Sequence, residues 1–97
     1  MPTYISLINY TDQGIRNVKE SPKRLDAAKK MLNEMGGELK EFYLTLGTYD
    51  IITVVEAPND EVVVKFVLTL GSAGNVRTTT VKAFPEAEYR KIIGALP

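Results

Sequence analysis

Residues 59–70 read Asn59-Asp60-Glu61-Val62-Val63-Val64-Lys65-Phe66-Val67-Leu68-Thr69-Leu70, and the fold turns on whether they form a strand or a helix. Val62, Val64, Phe66, Leu68 and Leu70 alternate with the period of a strand. Val62, Val63, Phe66, Val67 and Leu70 recur with the period of a helix. The flanks decide. Pro58-Asn59-Asp60-Glu61 supplies a cap and puts carboxylates at the positive end of a helix dipole. The run is long for a strand, and Gly71 and Gly74 stop it. The flanks and the length predict a helix.

Working outward, Thr3–Tyr10 is rich in aromatic and branched residues and reads as a strand. Thr11-Asp12-Gln13-Gly14 is a turn signal that could also open a short helical turn, with Thr11 a capable cap. Ser21-Pro22 opens a long helix, with Ser as cap and Pro in the first helical position. Leu25, Ala28, Met31, Leu32 and Met35 mark its buried face, and Gly36-Gly37 ends it. Residues 39–46 and 51–57 are strands joined at Gly47-Thr48-Tyr49-Asp50, a hairpin. Residues 75–84 are a fourth strand, with Thr78-Thr79-Thr80 suited to β geometry. Residues 85–96 form a terminal helix with Tyr89, Ile92, Ile93 and Leu96 on one side. The order is βαββαβ plus a helix. Two right-handed crossovers sharing a hairpin give an α+β, ferredoxin-like sandwich, its antiparallel sheet ordered 4-1-3-2. At 97 residues, one domain spanning 1–97 is expected.

Composition removes several functions. Without Cys there is no disulfide, zinc–thiolate site or thiol nucleophile, and without His no Ser-His-Asp triad. No metal-ligand spacing is present, and no cofactor is expected. Twelve basic and twelve acidic residues are spread evenly along the chain, so nucleic acid is not an expected partner: phosphate binding needs clustered cations. No apolar run approaches the ~20 residues of a membrane span, and Met-Pro-Thr-Tyr-Ile is no signal peptide, so a cytoplasmic location is expected.

Helices cover one face of such a sheet. If the other met water, the strands would alternate cleanly. They do not: Ile5 and Leu7 oppose Tyr4, Ile8 and Tyr10, and Ile51 and Val55 oppose Ile52 and Val54. In the second strand Phe42, Leu44 and Leu46 form an apolar face, and Leu39, Glu41, Tyr43 and Thr45 a mixed one. A homo-oligomer, dimer or higher, joined through this face would bury it and could enclose a polar-lined cavity. The alternative is that the terminal helix folds over it.

The topology gathers three segments at one end: residues 10–24, the 47–50 turn and residues 71–77. Lys19, Arg24 and Arg77 are expected around the start of the first long helix, where free N–H groups favour an anion; pairing with Glu20, Asp26 or Asp50 is the plainer reading. Tyr49 and Asp50 could orient a ligand or simply build the turn. Gly71-Ser72-Ala73-Gly74-Asn75 could cradle a phosphate, but it lacks the P-loop spacing and reads better as a helix stop. On the open face Glu41, Tyr43 and Thr45 are the cavity candidates, with Glu56 a second mid-strand carboxylate. Such carboxylates act as bases only when desolvated, and most are solvated or paired.

The Gly47-Thr48-Tyr49-Asp50 turn resembles the GYD domain family, named for that pattern. Asn17-Val18-Lys19, Ser21-Pro22-Lys23-Arg24, Asn75-Val76-Arg77-Thr78 and Ala83-Phe84 look like its other recurring segments. The resemblance covers nearly the whole chain. It implies a small bacterial or archaeal protein with a ferredoxin-like fold, grouped with dimeric α/β-barrel proteins. It supplies no reaction. The wider group includes cofactor-independent monooxygenases and lactone isomerases, many of which use the histidine missing here.

Three functions are therefore expected in order. The first is a homo-oligomeric module binding a small anionic ligand near Lys19, Arg24, Tyr49, Asp50, Asn75 and Arg77. The second is an enzyme working in a cavity at the sheet face. The third is a structural or protein-interaction role.

Overall fold

The computed structural model describes residues 1–97, and its elements follow the expected order. Strand β1 (Thr3–Tyr10) leads into a short helix α1 (Asp12–Arg16) and a 3₁₀ turn (Val18–Glu20). Then come α2 (Ser21–Glu34), β2 (Glu38–Leu44), β3 (Ile51–Glu56), α3 (Asp60–Ser72), β4 (Val76–Ala83) and α4 (Glu86–Gly94). The four antiparallel strands lie in the order β2-β3-β1-β4, which is the expected 4-1-3-2 read from the other edge.

Residues 60–70 fall in α3. Asn59 caps it as the flanks require, its side chain accepting from the Val62 N–H at 3.0 Å. Thr11 likewise caps α1, accepting from the Gly14 N–H at 3.0 Å. The start of α2 differs from expectation. Ser21 is itself helical (φ −55°, ψ −42°), and the cap position is Glu20, with no side-chain bond. The preceding 3₁₀ turn runs straight into the helix, which frees the Ser21 hydroxyl to meet Tyr10 Oη at 2.8 Å.

Register sorts the sheet into rows. On the helix side lie Leu39–Val55–Tyr4–Lys82, then Phe42–Thr53–Ser6–Thr80, then Leu44–Ile51–Ile8–Thr78. Tyr4, Val55, Leu32, Ala57, Val63 and Phe66 pack here as the core, each 6% exposed or less. On the open side lie Glu41–Val54–Ile5–Val81 and Tyr43–Ile52–Leu7–Thr79. The register shifts between Leu39 and Glu41, so Lys40 forms a bulge. That extra residue moves Leu39 to the helix side beside Phe42, whereas strict alternation had put it with Glu41 and Tyr43. β2 also stops at Leu44, and Leu46 stands fully exposed in the hairpin loop instead of on an apolar face.

The terminal helix does not cover the open face. Every residue of α4 is exposed, including Tyr89, Ile92 and Ile93. The radius of gyration is 14.6 Å, against about 12.5 Å for a compact chain of this length.

Candidate functional site

The space between α2, α3 and the sheet is filled unevenly. Toward the Tyr4 end it is the packed core. Toward the Tyr10 end, and reaching back to Val55 and Phe66 of the core, the helices leave a cleft of about 310 Å³ over the sheet, at the small end of the range for ligand sites. Leu25 and Met31 of α2 and Phe66 and Leu70 of α3 make apolar walls. Beneath them the floor carries hydroxyls. Ser6 and Thr53 are adjacent in register, and both are nearly sealed, 6% and 5% exposed. Ser6 shares a hydrogen bond with Thr80 at 2.8 Å. Thr53 lines the cleft, and its hydroxyl has no protein partner among the side-chain hydrogen bonds. No fully sealed side-chain polar atom lacks a partner, so the Thr53 hydroxyl opens onto the cleft.

Arg24 stands at the mouth, half-buried. Its guanidinium donates to the carbonyls of Asn17 at 3.1 Å and Gly14 at 3.4 Å. None of the five ion pairs in the protein includes it, so its charge meets no carboxylate. Tyr10, Ser21 and Asn75 complete the polar rim. No Asp, Glu, Lys, His or Cys lines the cleft. It can hold a molecule and donate hydrogen bonds, but it presents no carboxylate, imidazole, amine or thiol to move a proton.

The rim is held by a knot between two loops. Thr11 donates its N–H to the Asn75 carbonyl at 3.1 Å and its hydroxyl to the Gly74 carbonyl at 2.6 Å. Gln13 Nε2 donates to Asn75 Oδ1 at 3.0 Å. Gly14 lies against the same loop so closely that a Cβ there would sit 1.9 Å from the Asn75 carbonyl oxygen, a spacing only glycine permits.

The expected site residues therefore separate. Arg24 and Asn75 line the cleft. Lys19 is exposed on the 3₁₀ turn, and its two neighbours in the expected cluster do not share a face. Arg77 is opposite Asn9 in register and falls on the open side of the sheet, away from Arg24. Asp50 finishes the sheet: its carboxylate accepts from the Tyr10 N–H at 2.9 Å, and its own N–H donates to the Ile8 carbonyl at 2.9 Å. Thr45 closes the hairpin, donating its hydroxyl to the Tyr49 carbonyl at 2.6 Å and its N–H to the Asp50 carbonyl at 2.8 Å. Tyr49 is half-buried in that turn, which Gly47 permits with φ +133°. On the open face Tyr43 donates to Glu41 at 3.3 Å, both side chains exposed. There is no group of three or more His, Cys, Asp or Glu side chains placed to hold a metal ion.

Two features escaped the sequence reading. One is the hydroxyl row, whose signal was present: Ser6 and Thr53 interrupt otherwise apolar alternations at positions that face the helices. The other lies at the far end of the molecule. Tyr4 donates its phenol to Asp60 in the first turn of α3, and Lys82 reaches the same carboxylate at 3.1 Å. Burial, reinforced by the Asp60 carboxylate, pushes the Tyr4 phenol up to about 12. The hydrogen bonds from Tyr4 and Lys82 hold Asp60 below the usual carboxylate range.

The GYD domain family model matches residues 4–93, and the chain belongs to that family. A Thermus thermophilus protein named glutamine synthetase and cystathionine beta-lyase binding protein is 36% identical over 89 residues, covering 91% of this chain and 94% of the relative. Among solved structures, a Thermus thermophilus protein superposes with a TM-score of 0.56 at 26% identity, covering 87% of this chain and 94% of its own. MtbAldR superposes with a TM-score of 0.67 at 15% identity over 86% of this chain, a likeness of fold alone. This chain spans only about half, 51%, of that one. No helix is long and apolar enough to cross a membrane.

Proposed function

We propose that residues 1–97 act as one binding module that assembles with copies of itself through the open sheet face and docks on a partner protein. The observation that carries this reading is the uncovered apolar strip. Ile5, Leu7, Ile52 and Val54, each half-buried, occupy the centre of the open face, Val81 beside them is 46% exposed, and α4 does not cover them. Such a strip, rimmed by Glu41, Thr79 and Arg77, has the make-up of an interface: apolar centre, polar edge. The name of the Thermus relative supports a protein partner.

The test is light scattering on the purified chain and on Leu7→Glu. The parent is expected as a dimer or larger, and the variant as a folded monomer, because a charge in a buried apolar interface is strongly unfavourable. A monomeric parent overturns the assembly. Co-sedimentation with the host's own glutamine synthetase and cystathionine beta-lyase tests the partner, and binding to neither at micromolar concentrations removes it.

A second reading, a site for a small anion at the Tyr10 end, is favoured by one observation: Arg24 stands half-buried at a cleft mouth with no carboxylate beside it.

A further inference from the structure

We infer that the cleft between α2 and α3 binds a small monocarboxylate with a compact apolar body, its carboxylate on Arg24 and its body over the floor at Thr53. The inference rests on the second reading above and gives that site its atoms and its ligand class.

Three observations define the ligand. The walls are apolar, made by Leu25, Met31, Phe66 and Leu70, so most of the ligand is hydrocarbon, aromatic or branched. The volume, about 310 Å³, restricts it to a small molecule. The mouth offers one guanidinium held only by carbonyls, at 3.1 and 3.4 Å, so the charge it lacks is one negative charge in a planar group. A guanidinium suits a carboxylate because its donors form a fork of the right spacing. A doubly charged phosphate would need a second cation. Lys19 is exposed on the 3₁₀ turn and Arg77 lies across the sheet, and neither lines the cleft.

Thr53 is the independent observation. A hydroxyl on a residue 95% removed from solvent, lining a cleft and given no partner by the protein, is a hydrogen-bond donor and acceptor kept for something else. Its neighbour Ser6, in contrast, spends its hydroxyl on Thr80. A ligand with an ether, carbonyl or hydroxyl partway along its body would meet Thr53 while its carboxylate meets Arg24.

The experiment is an NMR titration of the intact protein with 3-phenylpropanoate and 4-methylpentanoate, each against its own amide. The expected result is saturable shifts at Thr53, Phe66, Val67 and Leu70, with the acids binding about tenfold more tightly than the amides. Arg24→Gln should weaken the acids about tenfold and leave the amides unchanged. Arg24→Lys should recover part of the loss, which a merely structural role for Arg24 would not give. Filling the floor with Thr53→Leu should abolish the shifts while the amide spectrum stays folded. Equal binding of acid and amide, or shifts at the open face instead of the cleft, overturns the inference, as does the absence of saturable shifts with all four probes. Light scattering on the same samples separates this failure from that of the assembly reading, since the open-face strip shares no residue with the cleft.

Discussion

The two halves of the layer between helices and sheet are built from the same elements and end in opposite states. At the Tyr4 end, Leu32 is 0% exposed, Ala57 0% and Val63 4%, and the polar atoms there close on one another through Tyr4, Asp60 and Lys82. At the Tyr10 end the same helices stand over a cleft, a hydroxyl is left without a partner and a guanidinium without a counter-charge. One half is closed on itself; the other keeps a hydroxyl and a guanidinium that no side chain of the protein pairs. The two ends thus differ along the helix axes, with Val55 and Phe66 shared between the core and the cleft lining.

The largest test of that division is Leu32→Ala. It removes the best-buried side chain of the closed half, and a loss of about 3 kcal/mol is expected from urea unfolding. A loss below about 1 kcal/mol would mean the closed half is not what holds the fold. Next is Gly14→Ala, which drives a methyl into the Asn75 carbonyl and breaks the knot at the open end. We expect about 2 kcal/mol, with backbone shifts confined to residues 11–17 and 73–76. Shifts spreading through Tyr4 and Val63 would erase the distinction between the halves.

Tyr4→Phe is expected to cost about 1 kcal/mol at neutral pH, because Asp60 loses a donor. Its pH dependence is more telling. The parent phenol stays neutral in the fold until about 12, whereas in the unfolded chain it ionises near its ordinary value of 10.0. The stability it supplies is therefore complete below pH 10 and is lost as pH rises toward 12. The Phe variant should lack that decline. Asp60, held low, supplies stability above the usual carboxylate range that fades as pH falls below it. Parallel alkaline profiles for parent and variant would contradict the assignment. The smallest effect compares two neighbours on the floor. Ser6→Ala should cost about 1 kcal/mol by orphaning Thr80, while Thr53→Val should be neutral or slightly stabilising, since its hydroxyl has no bond to lose. Equal costs would show that Thr53 is satisfied within the protein.

The order of elements and of strands was legible because each has a local cause: caps at Thr11 and Asn59, a helical period in residues 62–70, glycines at 36–37. The bulge at Lys40 was not, since nothing in Leu39-Lys40-Glu41 announces that the pairing skips a residue; it is set by what Val54 and Val55 across the hairpin require. The same limit split the cation cluster. Topology alone brings Arg24 and Arg77 to one end, but a strand sends successive side chains to opposite faces, and Arg77 is one step from Val76, which lines the cleft. Ser21 misled for another reason: it has the chemistry of a cap, but the 3₁₀ turn ahead of it had already begun the helix. The cleft itself has no signature in a linear pattern, because it depends on how far apart two helices settle.

The strand order also sets the route by which the molecule must be made. β1 sits between β3 and β4, and its registers join Thr3 to Glu56 on one side and to Ala83 on the other. The helices can form from neighbours in sequence, but the central ladder closes only when the first strand captures one that follows nearly the whole chain. Chains dominated by such distant pairings fold slowly, because loop entropy is lost before the pairing returns it. Until β4 arrives, β1 presents a bare edge of backbone donors and acceptors, the surface most open to a wrong partner. The knot that ties Thr11 to Gly74 and Asn75 lies at the point where β4 begins. In the folded chain it holds the last strand to the first at its Tyr10–Val76 end.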